Sequence, residues 1–164
     1  MPPTLKFMAL TGAGLLLAGA LGAQGLVTER VMSLAMAKTI AEGAMAECKA
    51  KGFRTAVVVV DRAGQPMVML RDEQATNQMM EIARRKAYTA RMFRMTSFDF
   101  QKRTMPGQPL AAQRNVADVL ALGGGVPIKA GEETIGAVGS SGSSQESDEE
   151  CAKAGIAKVA DLLK

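Results

Sequence analysis

Residues 55–60, Thr-Ala-Val-Val-Val-Val, decide the fold, because this β-branched run is too short for an independent helix and is apolar on both of its faces. A strand of this kind lies centrally in a sheet and is covered by helices. Residues 61–65, Asp-Arg-Ala-Gly-Gln, break the run before a second apolar stretch at 66–70. The two stretches therefore predict a β-hairpin.

Three helices are predicted around this hairpin. Residues 28–51 carry an apolar stripe stepping by three and four, with Thr28 as the cap and Gly52 as the stop. Residues 75–95 contain neither Gly nor Pro and are rich in strong helix formers. Ser144 is suited to cap a last helix over residues 145–163, whose acidic first turn complements the helix dipole.

The remaining segments predict a meander of short strands. Residues 96–110 are expected to form an irregular loop with one short helical turn after Ser97. Strands are expected at 116–122, 126–129 and 134–140. The element order α-β-β-α-β-β-β-α predicts an α+β fold. It has a five-stranded antiparallel sheet with helices packed on it, in the manner of profilin-like and PAS-like domains.

The N-terminus has the pattern of a cleavable signal peptide. Lys6 precedes an uncharged apolar stretch from Phe7 to Leu21, which is shorter than the ~20 residues of a membrane span. Small residues follow, and we expect cleavage between Ala20 and Gln24. The sequence therefore predicts a signal peptide over 1–23, one domain over 24–164, and a periplasmic or secreted protein.

Composition excludes several classes of function. The net charge of +4 falls to +3 once Lys6 is removed, which is too mild to indicate a nucleic-acid partner. The chain has no His, which excludes a His-based serine hydrolase, a His-ligated zinc site and a His-ligated haem within one chain. Twelve Met residues supply soft side chains of the kind that line permissive ligand pockets.

A basic cluster marks the second predicted helix and the loop after it, and it suits either carboxylate groups on a ligand or a solvated helix face. Its members are Arg84, Arg85, Lys86, Arg91, Arg94, Lys102 and Arg103. Lys86 lies in the middle of the apolar stripe, where an unpaired ammonium is costly. It is expected to pair with Asp61 or Asp148 and to face a ligand pocket, the alternative being a purely structural ion pair.

The glycine- and serine-rich bend at 139–144 precedes the last helix. Backbone N–H groups of Gly139, Ser141 and Gly142 are therefore candidates for binding an anion, while an ordinary capped turn is the alternative. Arg71, in a charged turn after the second strand, is a further candidate for the same pocket.

Cys48 and Cys151 are the two cysteines of the chain. Export places them in an oxidising compartment, and the first and last helices are candidates to pack side by side. A disulfide and two buried free thiols both remain open, because the sequence does not give the separation of the Cα atoms.

Four blocks of sequence resemble the GlcG/HbpS family, in the same order and at similar spacing. They are VVVDRAG at 58–64, ARRKAYTA at 83–90, GGGVPI at 123–128, and GAVGSSG at 136–142 followed by DEE at 148–150. The resemblance covers nearly all of the chain after the signal. It implies a profilin-like fold, homo-oligomers that are dimers or larger rings such as octamers, and association with haem or, in some relatives, corrinoids.

The resemblance does not extend to the residue that binds the tetrapyrrole metal in some relatives. Some relatives hold the tetrapyrrole metal with a His, which this chain lacks. Tyr88, a Met thioether, a Cys, or packing with paired propionates are the alternatives that remain.

Three hypotheses for function follow. The leading one is an exported binding protein for haem or a related carboxylate-bearing compound, with Lys86, Arg85 and Arg91 supplying positive charge. The second is an enzyme acting on a small organic acid, with Lys86 as base or clamp. The third is an oligomeric adaptor without a ligand, using the surface of Met80, Tyr88, Met92 and Met95.

Overall fold

The computed structural model describes residues 25–164, so the predicted signal peptide lies outside the described part of the chain. None of the helices in this part combines the length and the apolar character of a membrane span.

The described chain forms four helices and four strands. In order they are α1 Leu34–Ala50, β1 Ala56–Val60, β2 Pro66–Arg71, α2 Asn77–Phe93, α3 Ser97–Arg103, β3 Gly125–Ala130, β4 Glu133–Ser141 and α4 Gln145–Ala157. The strands make one antiparallel sheet in the order β2-β1-β4-β3. The α+β fold with helices on an antiparallel sheet is therefore as predicted, and β1 is an inner strand.

The sheet separates two apolar layers. Val57 and Val59 of β1 pack into a core with α1 and α4, whereas Val58 and Val60 face α2 on the other side. All four valines are fully buried, and each contributes about 1.5 kcal/mol or more by leaving water. The two-faced apolar pattern of residues 55–60 thus corresponds to helices on both faces.

Each helix begins at a hydroxyl side chain that accepts a hydrogen bond from a backbone N–H three residues later. The caps are Ser33, Thr76, Thr96 and Ser144. The predicted cap at Thr28 was wrong, because the helix is capped five residues further on, by Ser33. Each cap contributes about 1 kcal/mol.

The predicted five-stranded sheet was wrong at residues 116–122, which form no strand. Asp118 has a left-handed backbone (φ 64°), which interrupts an extended run. The backbone N–H and carbonyl groups of this segment instead form hydrogen bonds with side chains of α2 and α3. The N–H of Leu120 donates to the Thr89 hydroxyl, the Val119 carbonyl accepts from Arg85, and the Leu122 carbonyl accepts from Ser97. With these groups satisfied, no partner strand is needed.

Helix α2 lies unusually close to β4. A Cβ on Gly139 would come within 2.1 Å of the Ala83 carbonyl oxygen, so only glycine permits this approach. Gly139 was predicted to contribute to an anion site. Its place in the structure is at the contact between helix and sheet.

Candidate functional site

The Lys86 side chain runs from α2 past the edge of the sheet to α4. Its Nζ lies 2.7 Å from Oδ2 of Asp148 and donates to the Ser140 carbonyl oxygen at 3.1 Å. Both side chains are 2% exposed. Of the two predicted partners, the structure pairs Lys86 with Asp148, and the ion pair joins helices that cover opposite faces of the sheet.

The second oxygen of Asp148 is also occupied. Oδ1 accepts hydrogen bonds from the backbone N–H of Ser143 at 3.1 Å and from the Ser143 hydroxyl at 2.7 Å. Asp148 lies in the first turn of α4, where the helix dipole favours a carboxylate. The glycine- and serine-rich bend therefore binds an anion, and that anion is a carboxylate of the chain itself.

Gly124 covers the ion pair. A Cβ at this position would lie 2.9 Å from Lys86 Nζ and 2.8 Å from the Asp148 Cβ. Burial lowers the pKa of Lys86, and Asp148 opposes this by favouring the charged form. The site is thus a closed, mutually satisfied ion pair.

A disulfide lies next to this pair. The structure joins Cys48 of α1 to Cys151 of α4, with the Cα atoms 5.5 Å apart. The Cys48 sulfur also contacts the Ser140 hydroxyl at 3.6 Å. The start of α4 is therefore fixed to α1 by a covalent bond and to α2 by an ion pair.

The other predicted site residues do not converge on Lys86. The Asp61 carboxylate accepts the N–H groups of Ala63 and Gln65 and so holds the β1–β2 turn. The Arg71 guanidinium donates to the Ala75 carbonyl. Ser141 pairs with Ala56 in the sheet, and Gly142 packs against the Arg54 carbonyl.

A different group of charges surrounds an open cavity of about 350 Å³ at the far end of α2. The cavity lies between that helix end and the turns β1–β2 and β3–β4. Its lining residues are Arg62, Arg91, Arg94, Glu132, Glu133 and Thr134. We call this the arginine cavity, and of the predicted site residues it contains Arg91.

The charges in the arginine cavity are unequally paired. Glu133 binds both Arg62 and Arg30, and Arg62 also lies 3.5 Å from Glu29. Within residues 25–164, neither Arg91 nor Arg94 has a carboxylate within ion-pair distance. The Nε of Arg91 is buried and has no hydrogen-bond partner there.

The surroundings of Arg91 disfavour its positive charge. Burial lowers the pKa of this guanidinium, and the nearby Arg62 and Arg94 lower it further, against the smaller opposing effects of Asp61 and Glu29. A guanidinium nevertheless stays protonated in proteins. An anion in the cavity would therefore relieve an unfavourable concentration of positive charge.

A second cavity, of about 250 Å³, also includes Arg62 in its lining. Its apolar residues Met32, Met67 and Ile135 belong to the core layer under α1 and α4, on the opposite face of the sheet from α2. Tyr88 and Met92 of α2 contact the β1–β2 turn so closely that a Cβ on Gly64 would lie 2.9 Å and 2.6 Å from them. The guanidinium groups and the apolar cavity thus lie at the same end of the molecule, on opposite faces of the sheet.

This fold and the arginine cavity define a small α+β domain with an open site whose unpaired guanidinium groups suit an anionic ligand. The family model for the haem-degrading protein HbpS-like family matches residues 32–157. The chain belongs to the HbpS-like family, which confirms the resemblance found in the sequence.

Three similar proteins illustrate the relationship. A 15.0 kDa protein of Citrobacter freundii, described as uncharacterized and encoded in the dhaT-dhaS intergenic region, is 34% identical over 121 residues, which are 71% of this chain and 84% of that protein. The crystal structure of HbpS matches with a TM-score of 0.77 and 31% identity, over 84% of this chain and 97% of HbpS. A PduOC:heme complex matches with a TM-score of 0.73 and 25% identity, over 79% of this chain and 95% of that one.

Sequence reasoning did not select Arg62, Arg94 or Glu133 as site residues. Arg62 lies in the β1–β2 turn and Glu133 begins β4, far apart in the sequence, and only the antiparallel pairing of β1 with β4 brings them together. Arg94 belongs to the basic cluster, but nothing in the sequence distinguishes it from the other charges there. Its left-handed backbone, with φ 56°, ends α2 at the cavity.

Proposed function

We propose that this protein binds haem or a related tetrapyrrole bearing carboxylates, as an exported homo-oligomer. The observation that carries the proposal is the similarity to the PduOC:heme complex, which extends over 79% of the chain within a haem-associated family.

The residues at the end of α2 fit such a ligand. Carboxylates need donors that the protein has not already used, and Arg91 has a buried Nε without a partner among the described residues. Tyr88 and Met92 are side chains of types that bind haem iron, but both pack against the β1–β2 turn and neither lines a cavity of the described chain.

Lys86 is not part of this proposal. Its ammonium is paired with Asp148 and covered by Gly124, so it has neither the free lone pair of a general base nor contact with the arginine cavity.

A haemin titration tests the proposed ligand. Mature protein, followed by absorbance, is expected to give a saturable Soret band at micromolar haemin with a defined stoichiometry per subunit. Native mass spectrometry of protein purified from its own host reports retained tetrapyrrole and subunit number together. Absence of any saturable change, with folded protein verified by circular dichroism, would remove the proposal.

Export is tested separately. The full chain, expressed in a bacterium with a Sec pathway, is expected in the periplasmic or secreted fraction, with an intact mass that places the new N-terminus between Ala20 and Gln24. A cytoplasmic protein that retains Met1 would contradict this part of the proposal.

A further inference from the structure

The cations of this molecule differ in how much of their hydrogen-bonding capacity is used. Lys86 has a carboxylate and a carbonyl within hydrogen-bond distance, and Arg84 binds both Glu81 and Asp118. Arg91 and Arg94 have no such partners within residues 25–164, although Arg91 is partly buried. A buried donor without a partner requires an explanation, and a missing ligand group is one.

Arg62 does not share this freedom. Glu133 binds its guanidinium on one side of the cavity, and Glu133 is itself shared with Arg30. Glu133 therefore already forms the ion pair with Arg62 that a ligand carboxylate would form. Two guanidiniums, those of Arg91 and Arg94, are left for groups from outside.

We infer that Arg91 and Arg94 bind the carboxylates of the ligand, which is therefore a molecule bearing two carboxylates, while Glu133 keeps Arg62 paired. This inference rests on the proposed function for the identity of the ring, and it adds which end of the ligand is recognised and by which residues. A guanidinium matches a carboxylate with two parallel N–H donors, which gives orientation as well as attraction.

Protoporphyrin IX is the probe that isolates this contact, because it has no metal and so does not depend on an axial ligand. Its fluorescence is titrated with wild-type protein and with Arg91→Gln, Arg94→Gln and Arg91→Lys. Lys38→Gln is the control, since Lys38 is exposed on α1 across the sheet and its loss changes the net charge equally. Protoporphyrin IX dimethyl ester, which has no carboxylates, is titrated in parallel.

The Kd of the free acid is expected to rise about tenfold to a hundredfold in Arg91→Gln, because the substitution removes a charged hydrogen-bonded pair. A smaller rise is expected in Arg94→Gln, since Arg94 is exposed, and an intermediate one in Arg91→Lys, which keeps the charge without the planar fork. The ester is expected to bind weakly to wild type, and its Kd is expected to be unchanged by these substitutions. Lys38→Gln should bind both probes as wild type does.

The two proposals fail differently. If wild type binds the free acid saturably and a folded Arg91→Gln binds it equally well, the carboxylate assignment is overturned and tetrapyrrole binding survives. Equal binding of acid and ester by wild type would overturn the assignment in the same way. If wild type binds neither haemin nor protoporphyrin IX, the proposed function falls and this inference falls with it.

Discussion

Lys86 and Arg91 lie five residues apart on α2 and have opposite surroundings. The ammonium of Lys86 is enclosed by Asp148, Ser140 and Gly124, and its partner's remaining oxygen is occupied by Ser143. Arg91 faces an open cavity beside two other arginines, with no carboxylate of the described chain paired to it. The comparison shows that burial of a cation does not identify a ligand site. The proposed site is marked instead by guanidinium groups that border an open cavity and have no carboxylate partner within residues 25–164.

The largest effect on stability is expected at the ion pair of Lys86 and Asp148. Lys86→Met leaves the Asp148 carboxylate buried without its cation, which should lower the free energy of unfolding by about 3–5 kcal/mol, measured by urea denaturation. Replacing both residues, Lys86→Met with Asp148→Leu, removes the stranded charge and should recover most of that loss. If Lys86→Met lowered the free energy of unfolding by less than about 1 kcal/mol, the pair would not be a closed structural element.

Removal of the disulfide next to the ion pair should cause the second largest loss of stability. Replacing Cys48 and Cys151 together by Ala removes a crosslink between residues 103 apart in sequence, and a loss of about 2–5 kcal/mol is expected in thermal and urea unfolding. Binding of protoporphyrin IX to the folded variant should be unchanged, because the arginine cavity contains neither α1 nor α4. A large change in Kd would contradict the separation of the two regions.

Gly124 tests how tightly the pair is covered. Gly124→Ala forces a methyl group against Lys86 Nζ and the Ser140 carbonyl at a residue with φ of 121°, and a loss of about 1–3 kcal/mol is expected in urea unfolding. Gly131→Ala is the matched control, since its φ of 60° is also positive but its added Cβ would meet nothing within 4 Å. Equal losses in the two variants would attribute the effect to backbone conformation alone.

The smallest effect on stability is expected at Arg91. Arg91→Gln removes a charge that has no partner in the described chain, so the free energy of unfolding should change by no more than about 0.5 kcal/mol. The same substitution is expected to weaken ligand binding strongly. A loss of stability similar to that of Lys86→Met would mean that Arg91 has a structural role and would remove the contrast between the two regions.

The sequence predicted the parts of the fold that rest on local pattern. The valine run gave an inner strand, the uninterrupted helix formers gave α2, and Ser144 capped the last helix. Residues 116–122 were misassigned because their hydrogen bonds go to side chains of Arg85, Thr89 and Ser97, and no local pattern encodes such partners.

The candidate site was predictable only in part, for a related reason. An apolar stripe interrupted by Lys86 signals a special position, but the choice between Asp61 and Asp148 depends on the direction in which the Lys86 side chain leaves α2. The bend at 139–144 was predicted as a candidate anion site or an ordinary capped turn; in the structure Ser144 caps α4 and Ser143 binds the Asp148 carboxylate, a partner that the sequence did not reveal. The arginine cavity joins two turns across the sheet, so its composition becomes visible only in three dimensions.

The most direct measurement is hydrogen–deuterium exchange of the mature protein with and without saturating protoporphyrin IX. We predict added protection in peptides covering residues 61–65, 88–95 and 131–134, and unchanged exchange across 139–148. Protection confined to 139–148, with the three regions around the arginine cavity unaffected, would place the ligand at the Lys86 side and contradict the account.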